Sequence, residues 1–131
     1  MNKAKIKVLV VDDEPEIVAS FQFLFTKLFQ GFDFISAQNG ASGLHLIENE
    51  HPDVVLLDLK LGAGIDGIEV LRRSRKLCPA MKIIILTGYI DVRLENEARL
   101  IGVDAYLKKP LDNPEEIEKI VRDLVEVQHG S

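Results

Sequence analysis

Carboxylates follow two apolar segments of strand length in this 131-residue chain. Asp12 and Asp13 come directly after the run Ile6–Val11, and Asp58 ends the run 53–58. Apolar runs without polar alternation are typical of strands buried on both faces of a parallel sheet. The carboxyl ends of such strands open onto the crevice where ligands bind. Each aspartate alone could simply begin a loop, but three at one crevice favour a binding role.

Charge repulsion indicates what that crevice would hold. Carboxylates about 5 Å apart repel by roughly 3 kcal/mol per pair at an effective dielectric of 20. A helix cap contributes only about 1 kcal/mol, which accounts for Asp13 but not for all three aspartates. A hard divalent cation such as Mg²⁺ fits because it prefers oxygen ligands and is commonly shared with a phosphate. Lys109 could supply a second cation, although a surface lysine before Pro110 is the simpler interpretation of that residue alone.

The elements that would position these residues alternate along the chain. Strands are predicted at 6–11, 32–37, 53–58, 81–86 and 104–108, and helices at 14–29, 41–50, 68–77, 91–101 and 114–127. Right-handed crossovers make this pattern a parallel sheet covered on both sides, a three-layer α/β sandwich. Two strand orders are possible. The flavodoxin-like order 2-1-3-4-5 places the switch point between the first and third strands, which are the two that end in aspartates.

The first predicted helix is rich in phenylalanine. Helical spacing predicts an inward face of Ile17, Phe21, Leu24, Phe25 and Leu28. Asp13 and Glu16 are spaced as a capping box. Phe23 falls off the apolar face, and its exposure would indicate a docking surface.

Composition bounds the class of protein. With 47% apolar and 28% charged residues the chain is an ordinary globular protein, expected to form a single domain over 1–131 with a core at about 5–128. A net charge of −5 without a basic stripe argues against direct nucleic acid binding. The N-terminal apolar run is too short for a signal peptide or a membrane span, which predicts a cytoplasmic protein without membrane insertion. Cys78 is the single cysteine and cannot form an internal disulfide.

Five separated features give the chain a family resemblance. They are Asp12-Asp13, Asp58, Thr87, Tyr106 and Lys109-Pro110, each at or next to a predicted strand. Together with the runs 39–40 and 52–59, they make the chain similar to a bacterial response-regulator receiver domain over nearly its whole length.

The resemblance implies a phosphoacceptor function. Asp58 would be the carboxylate nucleophile that takes a phosphoryl group from the phosphohistidine of a histidine kinase or a histidine phosphotransfer protein. Asp12, Asp13 and the backbone carbonyl of Lys60 would hold Mg²⁺ with Asp58.

It implies further roles around the acceptor. Lys109 and the Thr87 hydroxyl would contact phosphoryl oxygens, and Gly88 would donate a backbone amide beside them. Tyr106 would be the switch aromatic, although a half-buried strand tyrosine needs no function. The face made by the fourth helix, fifth strand and fifth helix would then control a downstream partner or a fused output domain.

The chain departs from the family pattern in the loop beside Asp58. Gly62 stands where the family usually has a proline, and the loop before Asp66-Gly67 is one residue longer. Lys60 and Tyr89 would flank the path of hydrolytic water, and we expect neither to promote hydrolysis, although both side chains could equally extend into solvent. The segment after the last helix is too short for an output domain, and the sequence leaves open whether this is a whole protein.

Two other functions fit parts of the pattern. One is a Mg²⁺-dependent phosphatase or phosphotransferase that acts on a small substrate through an aspartyl-phosphate. It usually needs an acid two residues after the nucleophile, where this chain has Lys60, and a cap domain. A flavin-binding module is weaker because three carboxylates would repel the flavin phosphate.

Overall fold

The computed structural model describes residues 4–62, 64–88 and 91–128. Five parallel strands form one sheet in the order β2-β1-β3-β4-β5. The strands are β1 (Ile6–Val11), β2 (Phe32–Ala37), β3 (Val54–Asp58), β4 (Lys82–Thr87) and β5 (Ala105–Lys108). The α-helices are α1 (Pro15–Phe23), α2 (Gly40–Glu50), α3 (Gly67–Leu77), α4 (Val92–Ile101) and α5 (Pro114–Gln128). The predicted class and strand order are therefore confirmed, with element ends shifted by a residue or so at several places.

Two apolar clusters, one on each face of the sheet, make the three layers. On one face the phenylalanines of the first helical segment pack with α5, including Phe21, Phe25 and Ile117. On the other face α2, α3 and α4 contribute Ile47, Leu71 and Ala98. The central strands β1, β3 and β4 are buried on both sides, which is why their sequences are continuous apolar runs.

Strand register brings the polar residues to one edge of the sheet. Val11 of β1 is paired with Leu57 of β3, so Asp12 and Asp58 follow on neighbouring strands. Thr87, the last residue of β4, is paired with Lys108, the last residue of β5. Lys109 follows β5 directly and therefore lies beside the end of β4. The carboxyl edge therefore gathers side chains that are far apart in the sequence.

The first helical segment corrects one prediction. A π-helix (Leu24–Leu28) follows α1 and ends where the Phe29 amide donates to the Leu24 carbonyl at 2.7 Å. Its wider turn rotates the following residues, so Phe29 is buried and Leu28 is 53% exposed. The predicted inward position of Leu28 is thus wrong, because a constant helical period misplaces residues after such a turn. Phe23 is 59% exposed, as its place off the apolar face indicated.

The predicted capping box of Asp13 and Glu16 is also wrong. Glu14 is the N-cap of α1 and makes no side-chain capping hydrogen bond. Asp12 Oδ1 accepts from the Glu14 amide instead, at 2.9 Å, and Pro15 begins the helix. Asn39, Asp66 and Asp91 do cap α2, α3 and α4 through their side chains.

Helix α4 packs against the sheet with little buried surface. Ala98 is its buried residue, whereas Val92 is 64% and Leu100 is 88% exposed. Few buried apolar contacts make a helix easier to displace. Among the described residues, no helix is both long and apolar enough to cross a membrane.

Candidate functional site

Four carboxylates meet at the carboxyl edge of β1 and β3. Asp12, Asp13, Glu14 and Asp58 each offer one oxygen, and these oxygens all lie within 4.8 Å of one another. Asp12 is fully buried and Asp58 is 5% exposed, whereas Asp13 and Glu14 are exposed. The cluster therefore has an enclosed base formed by Asp12 and Asp58 and an open side formed by the other two.

Backbone amides fix the orientation of the two buried aspartates. Asp12 Oδ1 accepts from the Glu14 amide at 2.9 Å, and Asp58 Oδ1 accepts from the Lys60 amide at 2.8 Å. Each aspartate thus uses one oxygen to hold the turn that follows its own strand. The remaining oxygen, Oδ2, is directed elsewhere in both residues.

Those remaining oxygens meet Lys109. Its Nζ lies 2.8 Å from Asp12 Oδ2, 3.0 Å from Glu14 Oε1 and 3.4 Å from Asp58 Oδ2. Burial alone would lower the pKa of Lys109, but its contacts with Asp12 and Glu14 and the charge of Asp58 raise that pKa above its ordinary value. Lys109 therefore carries a permanent positive charge next to Asp58.

One lysine does not neutralise this cluster. Burial raises the pKa of Asp12, and the charge of Asp58 raises it further, against the lowering contacts of Lys109 and the Glu14 amide. Asp12 Oδ2 faces the Lys109 ammonium and accepts no other hydrogen bond from the described residues. A buried oxygen that shares one ammonium with two other carboxylates fits a further hard cation such as Mg²⁺.

A cleft beside the cluster is bounded by the loops after β3 and β4. Its volume is about 180 Å³, and its lining includes Asp58, Lys60, Thr87, Asp91 and Lys109. Lys60 Nζ lies 3.1 Å from Asp91 Oδ2, so an ion pair joins the loop after Asp58 to the N-cap of α4. A somewhat larger depression of about 220 Å³ lies on the other side of Lys109 and does not include Asp58. The cleft can take a group of phosphoryl size, whereas drug-sized ligands need about 300 Å³ or more.

Comparison with known protein families shows to which family this chain belongs. The family model for the response regulator receiver domain matches residues 8–122. The chain belongs to the response-regulator receiver family. It is 34% identical over 119 residues to sporulation initiation phosphotransferase F of Bacillus subtilis (strain 168), covering 91% of this chain and 90% of that protein. It is also 34% identical over 122 residues to the regulatory protein AtoC of Escherichia coli (strain K12), covering 93% of this chain but 26% of that protein.

Solved receiver structures agree in fold. A CheY-like receiver domain protein from Methanospirillum hungatei JF-1 matches with a TM-score of 0.88 at 32% identity, over 97% of this chain and 98% of that one. The receiver domain of an HD-domain protein from Pseudomonas fluorescens Pf-5 matches with a TM-score of 0.87 at 27% identity, over 97% and 99% of the two chains. The receiver fold thus accounts for nearly the whole chain.

Close packing explains two glycines, Gly62 and Gly67, in and after the loop that follows Asp58. A Cβ on Gly67 would overlap the backbone of Asp58 and Leu59, so α3 begins directly against the loop that follows the acceptor. A Cβ on Gly62, where receivers usually have a proline, would lie 3.0 Å from Asp13 Oδ2. Glycine at 62 therefore lets the Asp13 carboxylate lie against this loop.

Thr87 and Tyr106, the two expected switch residues, lie at the end of β4 and within β5. Thr87 is half-buried at the end of β4 and lines the cleft with Asp58. Tyr106 is half-buried in β5, and its hydroxyl donates to the Glu95 carbonyl of α4 at 3.4 Å. Tyr89, the second residue expected to flank the path of water, lies outside the described residues.

Sequence reasoning did not assign two residues of this site. Glu14 contacts Lys109, and its position directly after Asp12-Asp13 was the available signal. Asp91 pairs with Lys60, which no local pattern indicates because the two residues belong to different loops. Both contacts arise from the meeting of strand ends and loops at one edge of the sheet.

Proposed function

We propose that this receiver is a phosphoacceptor signalling switch in which Asp58 takes a phosphoryl group from a phosphohistidine donor. A carboxylate oxygen of Asp58 attacks phosphorus, the bond between phosphorus and the donor imidazole breaks, and the imidazole takes up a proton. The product is an aspartyl-phosphate. The chain would thus catalyse only its own phosphorylation and dephosphorylation.

Positioning and charge neutralisation are most of what phosphoryl transfer requires. Lys109 would contact the phosphoryl oxygens as negative charge builds up on them, and Thr87 and the Gly88 amide would hold the transferred group. Its raised pKa keeps Lys109 charged at neutral pH, so it would act as a fixed cation rather than as a proton donor.

Mg²⁺ would be held by Asp12, Asp13, Asp58 and the backbone carbonyl of Lys60. When bound, the ion would neutralise charge on the phosphoryl group and orient it. Asp12 and Asp13 would therefore act in binding, and Asp58 alone would act as nucleophile. The sharing of one ammonium by Asp12, Glu14 and Asp58 supports this assignment, because it leaves the cluster with excess negative charge.

The observation that carries the proposal is the position of Lys109. Its Nζ contacts three carboxylates at once, including that of Asp58, from the end of a different strand. A cation held at an acidic cluster next to a cleft of phosphoryl size is what acceptance of a phosphoryl group requires.

The alternative, an aspartyl-phosphate phosphatase or phosphotransferase on a small substrate, is not favoured. Its usual acid would stand two residues after the nucleophile, where Lys60 lies and pairs with Asp91. Membership of the receiver family also argues against it.

Partners follow from the same proposal. The donor would be a histidine kinase or a histidine phosphotransfer protein. After phosphorylation of Asp58, the face made by α4, β5 and α5 would change conformation and control a downstream protein or a fused output domain. The AtoC relative is much longer than its receiver match, which supports an output of the fused kind in some relatives. A cytoplasmic location and the lack of direct nucleic acid binding stay predictions.

Acetyl phosphate with Mg²⁺ tests the proposal without a known kinase. We expect intact mass spectrometry to show the addition of one phosphoryl group to the wild-type protein and none to Asp58→Asn. Asp33→Asn, on the exposed edge of β2, is the matched control and should label like wild type. Equal labelling of wild type and Asp58→Asn would place the acceptor elsewhere and overturn the proposal.

A further inference from the structure

The ion pair between Lys60 and Asp91 connects the phosphoacceptor loop to α4. Lys60 follows Asp58 by two residues, and its amide is bound to Asp58 Oδ1 at 2.8 Å. Its ammonium lies 3.1 Å from Asp91 Oδ2 at the other wall of the cleft. One residue thus contacts the acceptor through its backbone and α4 through its side chain.

Asp91 is also part of the N-terminal cap of α4. Its Oδ1 accepts from the Leu94 amide at 3.2 Å, and its own amide donates to Glu95 Oε2 at 3.3 Å. The Glu95 carbonyl in turn accepts from the Tyr106 hydroxyl. Direct contacts therefore run from Asp58 through Lys60, Asp91 and Glu95 to Tyr106.

A phosphoryl group on Asp58 would compete for Lys60. It would add about two negative charges to a cleft that already holds several carboxylates. The Lys60 side chain lines that cleft and is 41% exposed, so its ammonium can reach other anionic groups there. Without a phosphoryl group, the Lys60 ammonium pairs with Asp91.

We propose that the Lys60–Asp91 ion pair is a latch on the N-terminus of α4, and that phosphorylation opens it by drawing the Lys60 ammonium to the phosphoryl oxygens. The proposal rests on phosphorylation of Asp58. It makes Lys60 and Asp91 positioning residues of the switch, with Asp91 opposing the phosphorylated state and Lys60 favouring it.

Asp91→Asn separates the two roles of Asp91. Asparagine keeps the side-chain oxygen that caps α4 and is as good a cap residue as aspartate, but it cannot pair with Lys60. The matched control is Asp66→Asn, because Asp66 caps α3 in the same way, through the Glu69 amide at 2.9 Å.

The measurement is the apparent affinity for beryllofluoride, a phosphoryl analogue, at saturating Mg²⁺. Exposed ion pairs are weak, so Asp91→Asn should bind beryllofluoride only about 1.5- to fivefold more tightly than wild type. Asp66→Asn should bind like wild type. Unchanged or weaker binding by Asp91→Asn would overturn the latch.

A double-mutant cycle separates a latch from general support of α4. Lys60→Gln should weaken binding, and adding Asp91→Asn to it should change nothing further, because the latch needs both charges. If Asp91→Asn strengthens binding equally with and without Lys60, the effect does not pass through the ion pair and the proposal is wrong.

If wild type neither binds beryllofluoride nor takes a phosphoryl group from acetyl phosphate, the proposed function fails as well, so failure of the latch and failure of the proposed function are distinguishable.

Discussion

Lys109 illustrates how one residue satisfies opposing demands. Its ammonium contacts Asp12, Glu14 and Asp58, and it is 10% exposed. The contacts hold two buried carboxylates at the carboxyl edge of the sheet. The same charge lies where negative charge would build up on a phosphoryl group, so Lys109 would offset the carboxylate charge before phosphorylation and favour transfer during it.

Lys109→Met should therefore change metal binding and phosphorylation in opposite directions. Without the ammonium the cluster is more negative, so we expect Mg²⁺ to bind up to about tenfold more tightly at low ionic strength. Phosphorylation by acetyl phosphate should slow about 10²-fold, as when one charge-stabilising group is removed from an active site.

Calorimetric titration with Mg²⁺ and timed mass spectrometry check the two halves. Lys108→Met is the matched control, since Lys108 is exposed and next in sequence, and it should change neither quantity appreciably. Weaker Mg²⁺ binding by Lys109→Met would mean that the lysine organises the aspartates rather than opposing their charge.

At the scale of elements, the start of α3 supports the loop that follows Asp58. Gly67 has no Cβ, and the backbone of Asp58 and Leu59 occupies the space that a Cβ would fill. Asp66 caps the helix at the same point through the Glu69 amide. The N-terminus of α3 therefore fixes the position of the loop that follows Asp58.

Gly67→Ala should both destabilise the protein and disturb the site. Overpacking of this kind costs about 1–3 kcal/mol of unfolding free energy, measurable by urea denaturation. Because the acceptor backbone must shift, phosphorylation should also slow. Gly43→Ala is the comparison, since its Cβ would press on the Val11 side chain instead. Loss of stability in Gly67→Ala with an unchanged phosphorylation rate would show that the loop is not held by α3.

The strands could be predicted from local sequence patterns, whereas the apolar face at the end of the first helical segment could not. The runs of β1 and β3 predict their strands directly because buried strands need no polar alternation. The π-turn of Leu24–Leu28 has no signal in a constant hydrophobic period, so the burial of Phe29 in place of Leu28 could not be predicted.

Contacts between distant residues were likewise predictable only in part. Asp12, Asp13, Asp58 and Lys109 could be expected to converge because each follows a strand and parallel strands end at one edge. Pairing of Lys60 with Asp91 depends on how two loops approach each other, and the approach of Glu14 to Lys109 depends on the start of α1. Neither loop path is encoded in a residue pattern.

At the scale of the whole molecule, the helices α4 and α5 differ in how firmly they are held against the sheet. α5 contributes the buried residues Ile117, Val121 and Val125, whereas α4 contributes Ala98. The site lies at the end of the strands between these layers. A change at Asp58 should therefore displace α4 more readily than α1 or α5.

Amide hydrogen exchange with beryllofluoride and Mg²⁺ checks this expectation. We expect changed protection in α4 and β5, including Tyr106, and on the adjoining surface of α5. Mg²⁺ and fluoride without beryllium give the control. Changes confined to α1 would contradict the expectation and point instead to the exposed Phe23 side.

The central claim is that Asp58 itself carries the phosphoryl group, and its position can be read chemically in the wild-type protein. Borohydride reduces an aspartyl-phosphate to homoserine, so the protein is treated with acetyl phosphate and Mg²⁺, reduced, digested and sequenced by tandem mass spectrometry. We predict homoserine at position 58 and unmodified aspartate at positions 12 and 13. Homoserine at position 12 or 13, or no homoserine after confirmed phosphorylation, would contradict the assignment of Asp58 as the phosphoacceptor.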